Sequence, residues 1–302
     1  VIIDAKGQKH EVECLLGANE IYDIVKFQVN GKTIAAPLTT TVSANDEVWI
    51  TPMPKSGNAE KADVVNVEKF MDKYNYAILK STATDKLNGA PVFNTKGQVI
   101  GLFNISGDSQ SSTDVNYAND FTVNGLSQND ITLRQSGICI GLPNKIEEAV
   151  VALMLSSEKP SNIHEAVVND FIAKFPQSND GYYALANIQI AKGEIANADK
   201  TMQTAVGKVT AKDEAHYNYA RLIYRGTLAQ DSEEKTKSVG WTLDKALDEI
   251  QKAQSTKAND AYRHLQAQII FAKGDYAKAY TEFEALTKTK FNNPELYLEM
   301  AQ

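Results

Sequence analysis

The hydrophobic positions of this chain change period once. Through residue 143 they come in short runs rich in Val, Ile and Thr, broken by turn-forming residues. From about Asn144 they recur at helical spacing. The first regime predicts strands separated by turns. Residues 1–4 and 9–16 flank an Ala5-Lys6-Gly7 turn and are expected to pair as a hairpin. Residues 24–29 form a further strand, followed by an Asn30-Gly31 turn and a strand over 33–37. Residues 47–51 make another, ending at Pro52, and Ser56-Gly57-Asn58 marks the next turn. The densest signal lies in residues 76–104. A strand at 76–79, an Asn88-Gly89 turn, a strand at 91–93, a Lys96-Gly97 turn and a strand at 98–103 predict two hairpins there. Both Asn88 and Gly89 tolerate a positive φ, which is what makes the pair a turn signal. The polar segment 106–135, with its Ser106-Gly107-Asp108-Ser109 run, reads as a long loop or insertion.

In the second regime Ile146, Ala149, Val150 and Met154 share a helical stripe. Residues 188–198 (IQIAKGEIANA) and 269–279 (IIFAKGDYAKA) repeat one another, each reading as helix, Lys-Gly turn, helix. Residues 164–176 read as the second helix of an earlier, degenerate unit, and 291–302 as the start of a further one. The fold class expected is therefore multidomain α+β. An antiparallel β-domain covers 1–143, and an all-α helical array covers 144–302.

The helical units resemble the tetratricopeptide repeat, whose period is about 34 residues. The small residue of the first helix in each repeat falls on Ala186, Ala220 and Ala267, and the turn glycine on Gly193 and Gly274. The alanine of the second helix falls on Ala198, Ala246 and Ala279, and the large apolar residue four later on Met202, Ile250 and Phe283. Small residues let the two helices approach, and the large residue fills the space between repeats. The middle unit departs from the pattern, with an acidic and polar insertion around 226–239 that fits either an extended loop or a longer helix. In such arrays the first helix of each repeat lines the concave face. The resemblance thus implies that Tyr183, Asn187, Tyr217, Arg221, Tyr224, His264 and Gln268 lie there. Aromatic and amide side chains on such a face suit peptide recognition; packing between helices is the other role these tyrosines fit.

The β-domain carries a second resemblance. Gly89-Ala90-Pro91-Val92-Phe93-Asn94 and Gly97-Gln98-Val99-Ile100-Gly101 are similar, without a gap, to the segment after the nucleophile in trypsin-like serine proteases of the Deg/HtrA group. The stretch from Ala5-Lys6-Gly7 through Gly17 to Asp23-Ile24-Val25 resembles that family's segment around the triad aspartate, and residues 48–52 resemble its V-x-A-I-G-x-P run. The likeness covers residues 1–104 and continues weakly to 143. It implies a trypsin-like β-barrel, incomplete at its N-terminal side, with Asp23 at the aspartate position. Tyr117-Ala118 and residues 138–143 would correspond to the closing strand. The family's serine falls on Asn88 and its oxyanion glycine on Lys86. An amide is no nucleophile, and a lysine resists the backbone conformation that the glycine supplies. The triad histidine would fall before Val1. His10, the one histidine upstream of Asp23, sits where the family has no catalytic residue and reads as a surface strand residue.

Composition narrows the picture further. Acidic residues outnumber basic ones, 38 to 31, for a net charge of −7, which argues against nucleic acid as a partner. No apolar run reaches the ~18 residues of a transmembrane helix. The four histidines, His10, His164, His216 and His264, are scattered. No Cys/His zinc spacing, Gly-rich phosphate loop or EF-hand pattern occurs, so neither a metal nor a cofactor is expected. Cys14 and Cys139 sit in separate apolar segments and read as buried free thiols rather than a disulfide. Residues 1–4 read as the middle of a sheet and 294–302 as a helix cut short, so the chain is expected to be part of a longer one.

The functional expectation is a non-catalytic scaffold. An inactive serine-protease-like domain is joined to a helical array that holds a protein or peptide partner. The alternative is an active peptidase with a displaced nucleophile, for which Ser81 and Ser106 are the serines to consider, and a third reading makes the β-domain a cap on the array. The trypsin-like resemblance implies a location in the cell envelope.

Overall fold

A computed structural model of the chain describes residues 2–4, 6–52, 57–229 and 233–302. Val1 and Ala5 of the first expected hairpin, Ser56 of the third turn, and residues 230–232 of the insertion lie outside the described residues. The chain divides into two compact units, Val1–Ala152 and Leu153–Gln302. No described helix is long and apolar enough to cross a membrane.

The first unit opens with two small hairpins. β1 (Ile2–Ile3) pairs with β2 (Lys9–His10), and β3 (Val12–Asn19) pairs with β4 (Ile24–Val29). The strand expected over 9–16 is split at Glu11, because His10 pairs back to Ile2 while Val12 pairs forward to Val29. The expected strand at 33–37 does not form. Pro37 lacks an N–H to continue a ladder, and the segment is held by its carbonyl, which accepts from Val99 N at 2.8 Å.

Six strands then close an antiparallel barrel: β5 (Glu47–Ile50), β6 (Glu60–Phe70), β7 (Tyr74–Ser81), β8 (Pro91–Asn94), β9 (Val99–Ser106) and β10 (Ser109–Thr113). Their order around the barrel is β10-β7-β6-β5-β8-β9. β5, β6 and β7 form a meander, and β8 returns to lie beside β5, which is a Greek key. Period-two patterning decides what faces inward. Val48 and Ile50 are fully buried, whereas Trp49 between them stays 36% exposed on the outer face. Ala62, Val64, Ala77, Leu79, Val92 and Phe103 complete the interior.

Three expectations for this unit are corrected. The strand at 76–79 exists but does not pair with the strand at 91–93. β7 lies between β6 and β10, while β8 lies between β5 and β9, so only the second of the two predicted hairpins, β8–β9, is present. The segment 106–135 is not a long loop. Ser106 and Ser109 pair across a two-residue Gly107-Asp108 turn into β10, and short 3₁₀ helices at Val115–Asp120 and Gly125–Asn129 and helix α1 (Ile131–Gln135) follow. Tyr117 and Ala118 therefore lie on a helical turn, and residues 138–143 contribute a single bridge, Ile140 to Leu15, instead of a closing strand. β10 closes the barrel.

Helix α2 (Ile146–Ser156) buries Ala149, Ala152 and Leu153 and leaves Met154 67% exposed, so its inward face is rotated from the expected stripe. The second unit continues as α3 (Ser161–Lys174), α4 (Asn179–Ala191), α5 (Ile195–Lys208), α6 (Lys212–Leu228), α7 (Glu233–Ser238), α8 (Leu243–Thr256), α9 (Asp260–Ala272), α10 (Tyr276–Leu286) and α11 (Pro294–Met300). The repeat positions behave as close-packing demands. Ala186, Ala220, Ala267, Ala198, Ala246 and Ala279 are each fully buried, as are Met202 and Ile250, with Phe283 nearly so. Gly193 and Gly274 reverse the chain between α4 and α5 and between α9 and α10, both at positive φ. The insertion of the middle unit lengthens α6 to Leu228 and adds α7.

A buried carboxylate ties this insertion to the array. Asp199 Oδ1 on α5 accepts from Trp241 Nε1 at 2.6 Å, from Lys245 Nζ at 2.9 Å and from the Tyr219 hydroxyl, while Oδ2 accepts from Gln203 Nε2 at 2.6 Å. Trp241 is 1% exposed and covers Gly226, where an added Cβ would lie 2.9 Å from the indole ring.

Candidate functional site

Two places were expected to carry function: the region of the barrel around Asn88 and Asp23, and the lining of the helical array.

In the barrel, Asn88 follows a 3₁₀ turn (Asp85–Leu87) and occupies the first central position of a type II turn closed by Ala90 N to Leu87 O at 2.9 Å. Asn88 has φ −56°, and Gly89 alone takes the positive φ, +78°. The Asn88 amide is spent on the barrel wall, where Oδ1 accepts from Ile105 N on β9 at 3.2 Å. Its own N–H donates to Asp85 O at 3.0 Å. Lys86 is exposed on the same turn.

Asp23 reaches the same strand from the β3–β4 turn. Its Oδ2 accepts from Asn104 Nδ2 at 3.3 Å, so Asp23 and Asn88 engage consecutive residues of β9. Asp23 itself has φ +51°. An aromatic cluster fixes that turn: Tyr22 stacks on Phe70 at 4.1 Å, and Tyr117 packs edge-on against both. His10 is elsewhere. It bridges Asp4 Oδ2 at 3.2 Å and Asn30 O at 2.9 Å, which makes it a half-buried pin of the hairpin rather than a surface residue. Both contacts hold its proton, raising its pKa, with the Asn30 carbonyl the larger cause. Ser81 donates to Gln110 Oε1 at 2.8 Å, and Ser106 belongs to the β9–β10 hairpin. Neither serine has a histidine among its hydrogen-bond partners. The cysteines are not buried thiols: Cys14 is half-buried and Cys139 exposed.

In the helical unit the expected residues separate into two groups. Tyr217, Arg221 and Tyr224 of α6 and His264 and Gln268 of α9 line one groove of about 270 Å³. Tyr183 is not part of the lining, but its ring lies 6.0 Å from the Arg221 guanidinium. Asn187 does not join the lining either; its amide donates back to Tyr183 O at 2.7 Å. Two groove residues escaped the sequence reading, Arg225 and Leu265. Arg225 was findable, because it lies one helical turn beyond Arg221 on the same face.

Glu299 of α11 was not findable from sequence. It grips the far wall, accepting from His264 Nε2 at 2.6 Å and Gln268 Nε2 at 2.7 Å. His264 also packs 5.2 Å from the Phe291 ring. Tyr217 stacks on Tyr262 at 4.8 Å, so this tyrosine both packs and lines. Burial, with Glu299 adding to it, pushes the Tyr224 phenol above its ordinary pKa, keeping it a neutral hydroxyl.

The chain matches no protein-family model. A comparison with curated proteins gives no match either. Among solved structures, the chain is similar to one from a functional characterization of Pseudomonas aeruginosa pilF, at 18% identity over 51% of this chain and 67% of that one, with a TM-score of 0.40.

Proposed function

We propose that this chain is a non-catalytic scaffold that holds a peptide or protein segment in the groove of its helical unit. In this reading the helices are tetratricopeptide-type repeats and the barrel is a trypsin-like domain that has lost its chemistry. The observation that carries the binding half is convergence. Five residues picked out by repeat position, Tyr217, Arg221, Tyr224, His264 and Gln268, line one groove. Amide, hydroxyl and guanidinium donors beside aromatic faces are what an extended peptide backbone and its side chains need.

Two features support the non-enzymatic half. The residue at the nucleophile position is an amide bound to β9, and its N–H closes a local turn instead of facing a substrate oxyanion. The closed antiparallel barrel and the meeting of Asp23 and Asn88 on neighbouring residues of β9 support the trypsin-like origin.

Each half has its own test. A fluorophosphonate probe should leave the protein unlabelled; a labelled serine would return the peptidase reading. An array of extended peptides should yield ligands for the full chain, and Tyr217→Ala should weaken them about tenfold while the unfolding curve stays cooperative. Ligands that bind Tyr217→Ala as well as the parent would move the binding site off this groove.

A further inference from the structure

The geometry points to a reversible disulfide between Cys14 and Cys139, the two cysteines of the chain, as a covalent modification site that staples β3 to the segment following α1. It is independent of the helical groove and of the function proposed for it.

The two cysteines are far apart in sequence but neighbours in the fold. Leu15 and Ile140 form a parallel bridge, in which Leu15 N donates to Cys139 O and Gly141 N donates to Leu15 O, both at 2.8 Å. In a parallel pairing the residues just before the bridged pair also stand side by side, so Cys14 lies next to Cys139. Paired strands run about 4.8 Å apart, within the roughly 4.4–6.8 Å between Cα atoms that a disulfide spans. Leu15 and Ile140 turn to the opposite face, where they are buried with Val123 and Leu133. Extended residues alternate, so residues 139 and 141 share a face. Cys14 Sγ is on that same face, because a Cβ added at Gly141 would lie 3.2 Å from it. The glycine thus leaves the room in which this sulfur sits and turns. Cys139 is exposed and Cys14 half-buried, so one thiol meets a reagent while the other stands beside it.

The step balances with a low-molecular-weight disulfide such as oxidised glutathione. The Cys139 thiolate attacks one glutathione sulfur, and the other glutathione leaves as a thiol. The Cys14 thiolate then attacks Cys139 Sγ and displaces the second glutathione. Two protein thiols are oxidised, one glutathione disulfide is reduced to two thiols, and the two cysteine protons end on those thiols. The bridge closes a loop that contains all six barrel strands. A long loop is where a cross-link most restricts the unfolded chain. The connection it reinforces is slender: two backbone hydrogen bonds and the packing of Ile138 and Ile140 join this segment to β3.

The test incubates the full chain with oxidised glutathione, natively and in concentrated urea, followed by non-reducing peptide mapping. The native protein should yield one species in which the Cys14 and Cys139 peptides are joined, at a rate independent of protein concentration. That rate should exceed the rate in urea by at least about tenfold, because the fold holds the sulfurs together. Cys139→Ser, at an exposed position, should abolish the bridge and leave circular dichroism unchanged. Hydrogen exchange at the Leu15 and Gly141 amides should slow by about tenfold or more on oxidation. Two separate glutathione adducts, chains cross-linked to one another through Cys139, or equal rates with and without urea would overturn the site. A bridge that forms natively but leaves exchange at both amides unchanged would overturn the staple.

Discussion

At the scale of single residues, the chain sets one buried carboxylate and one exposed amide in contrasting roles. Asp199 is the acceptor for four donors on three segments, and burial alone would push its carboxyl up. The bonds from Tyr219, Trp241 and Lys245 outweigh that and hold its pKa below the usual carboxylate range. Asp199→Asn keeps the shape but places an NH₂ or a neutral oxygen before those donors. It should cost about 3 kcal/mol in a urea unfolding series, with Lys245 left without its counter-charge. Asn88 poses the opposite case. Asn88→Ser should not create fluorophosphonate labelling, since no described histidine bonds to the Asp23–Asn88 patch and the backbone N–H at 88 is already engaged. Asp23 and Asn88 were each singled out in the sequence by a local stretch, residues 5–25 and 86–101, but nothing in either stretch says that both side chains reach β9. Asp199 was not singled out: only Gln203 is its neighbour on α5, while Tyr219, Trp241 and Lys245 stand 20, 42 and 46 residues away.

At the scale of elements, legibility followed apolar content. β7, β8 and β9 carry Ala, Ile, Leu, Val and Phe in strand-like runs and were visible. β10 reads SQSST, with no apolar side chain, yet Ser111, Ser112 and Thr113 are all buried. Its small side chains are what the site requires. Gly101 on β9 faces it so closely that an added Cβ would lie 2.4 Å from both Ser112 Oγ and the Thr113 carbonyl. Gly101→Ala should therefore destabilise the barrel by about 3 kcal/mol, read from the denaturant midpoint, because backbone rather than a flexible side chain must yield. The insertion tells a similar story. Its polar composition concealed Trp241, which packs on Gly226 and hydrogen-bonds Asp199. Trp241→Ala should cost about 3–5 kcal/mol in the same measurement.

At the scale of the whole molecule, the change of period near residue 144 anticipated a β-rich part followed by a helical part, because that contrast is written along the entire chain. Strand partners were harder to anticipate, since Greek-key pairing joins segments far apart in sequence. The distribution of shifted groups gives the molecule a stability plateau with two edges. The Asp4, Asp120 and Asp199 carboxyls are all held below their usual pKa, so the stability they confer is present above about pH 4 and is lost as pH falls through their folded values. Tyr182, Tyr219, Tyr224 and Tyr262 are all raised, with burial the first cause in each. Their contribution is present below about pH 10 and is lost as pH rises through their folded values. Melting temperature measured against pH should show both edges; Asp199→Asn should flatten the acid edge and, because Asp199 also helps raise the Tyr219 phenol, soften the alkaline one.

The position of β10 also sets an order of events during synthesis. The barrel is complete only when residues 109–113 slot between β7 and β9. While the chain emerges from its N-terminal end, β5, β6 and β7 are the first barrel strands present, and β7 carries an unpaired edge beside the side chains of Ala77 and Leu79. β8 and β9 then join on the far side, through β5, and leave a second open edge. A nascent barrel halted before Ser109 thus displays two strand templates at once, the state in which unrelated chains are most readily captured. A five-residue strand of serine, glutamine and threonine, the plainest segment of the domain, ends that exposure.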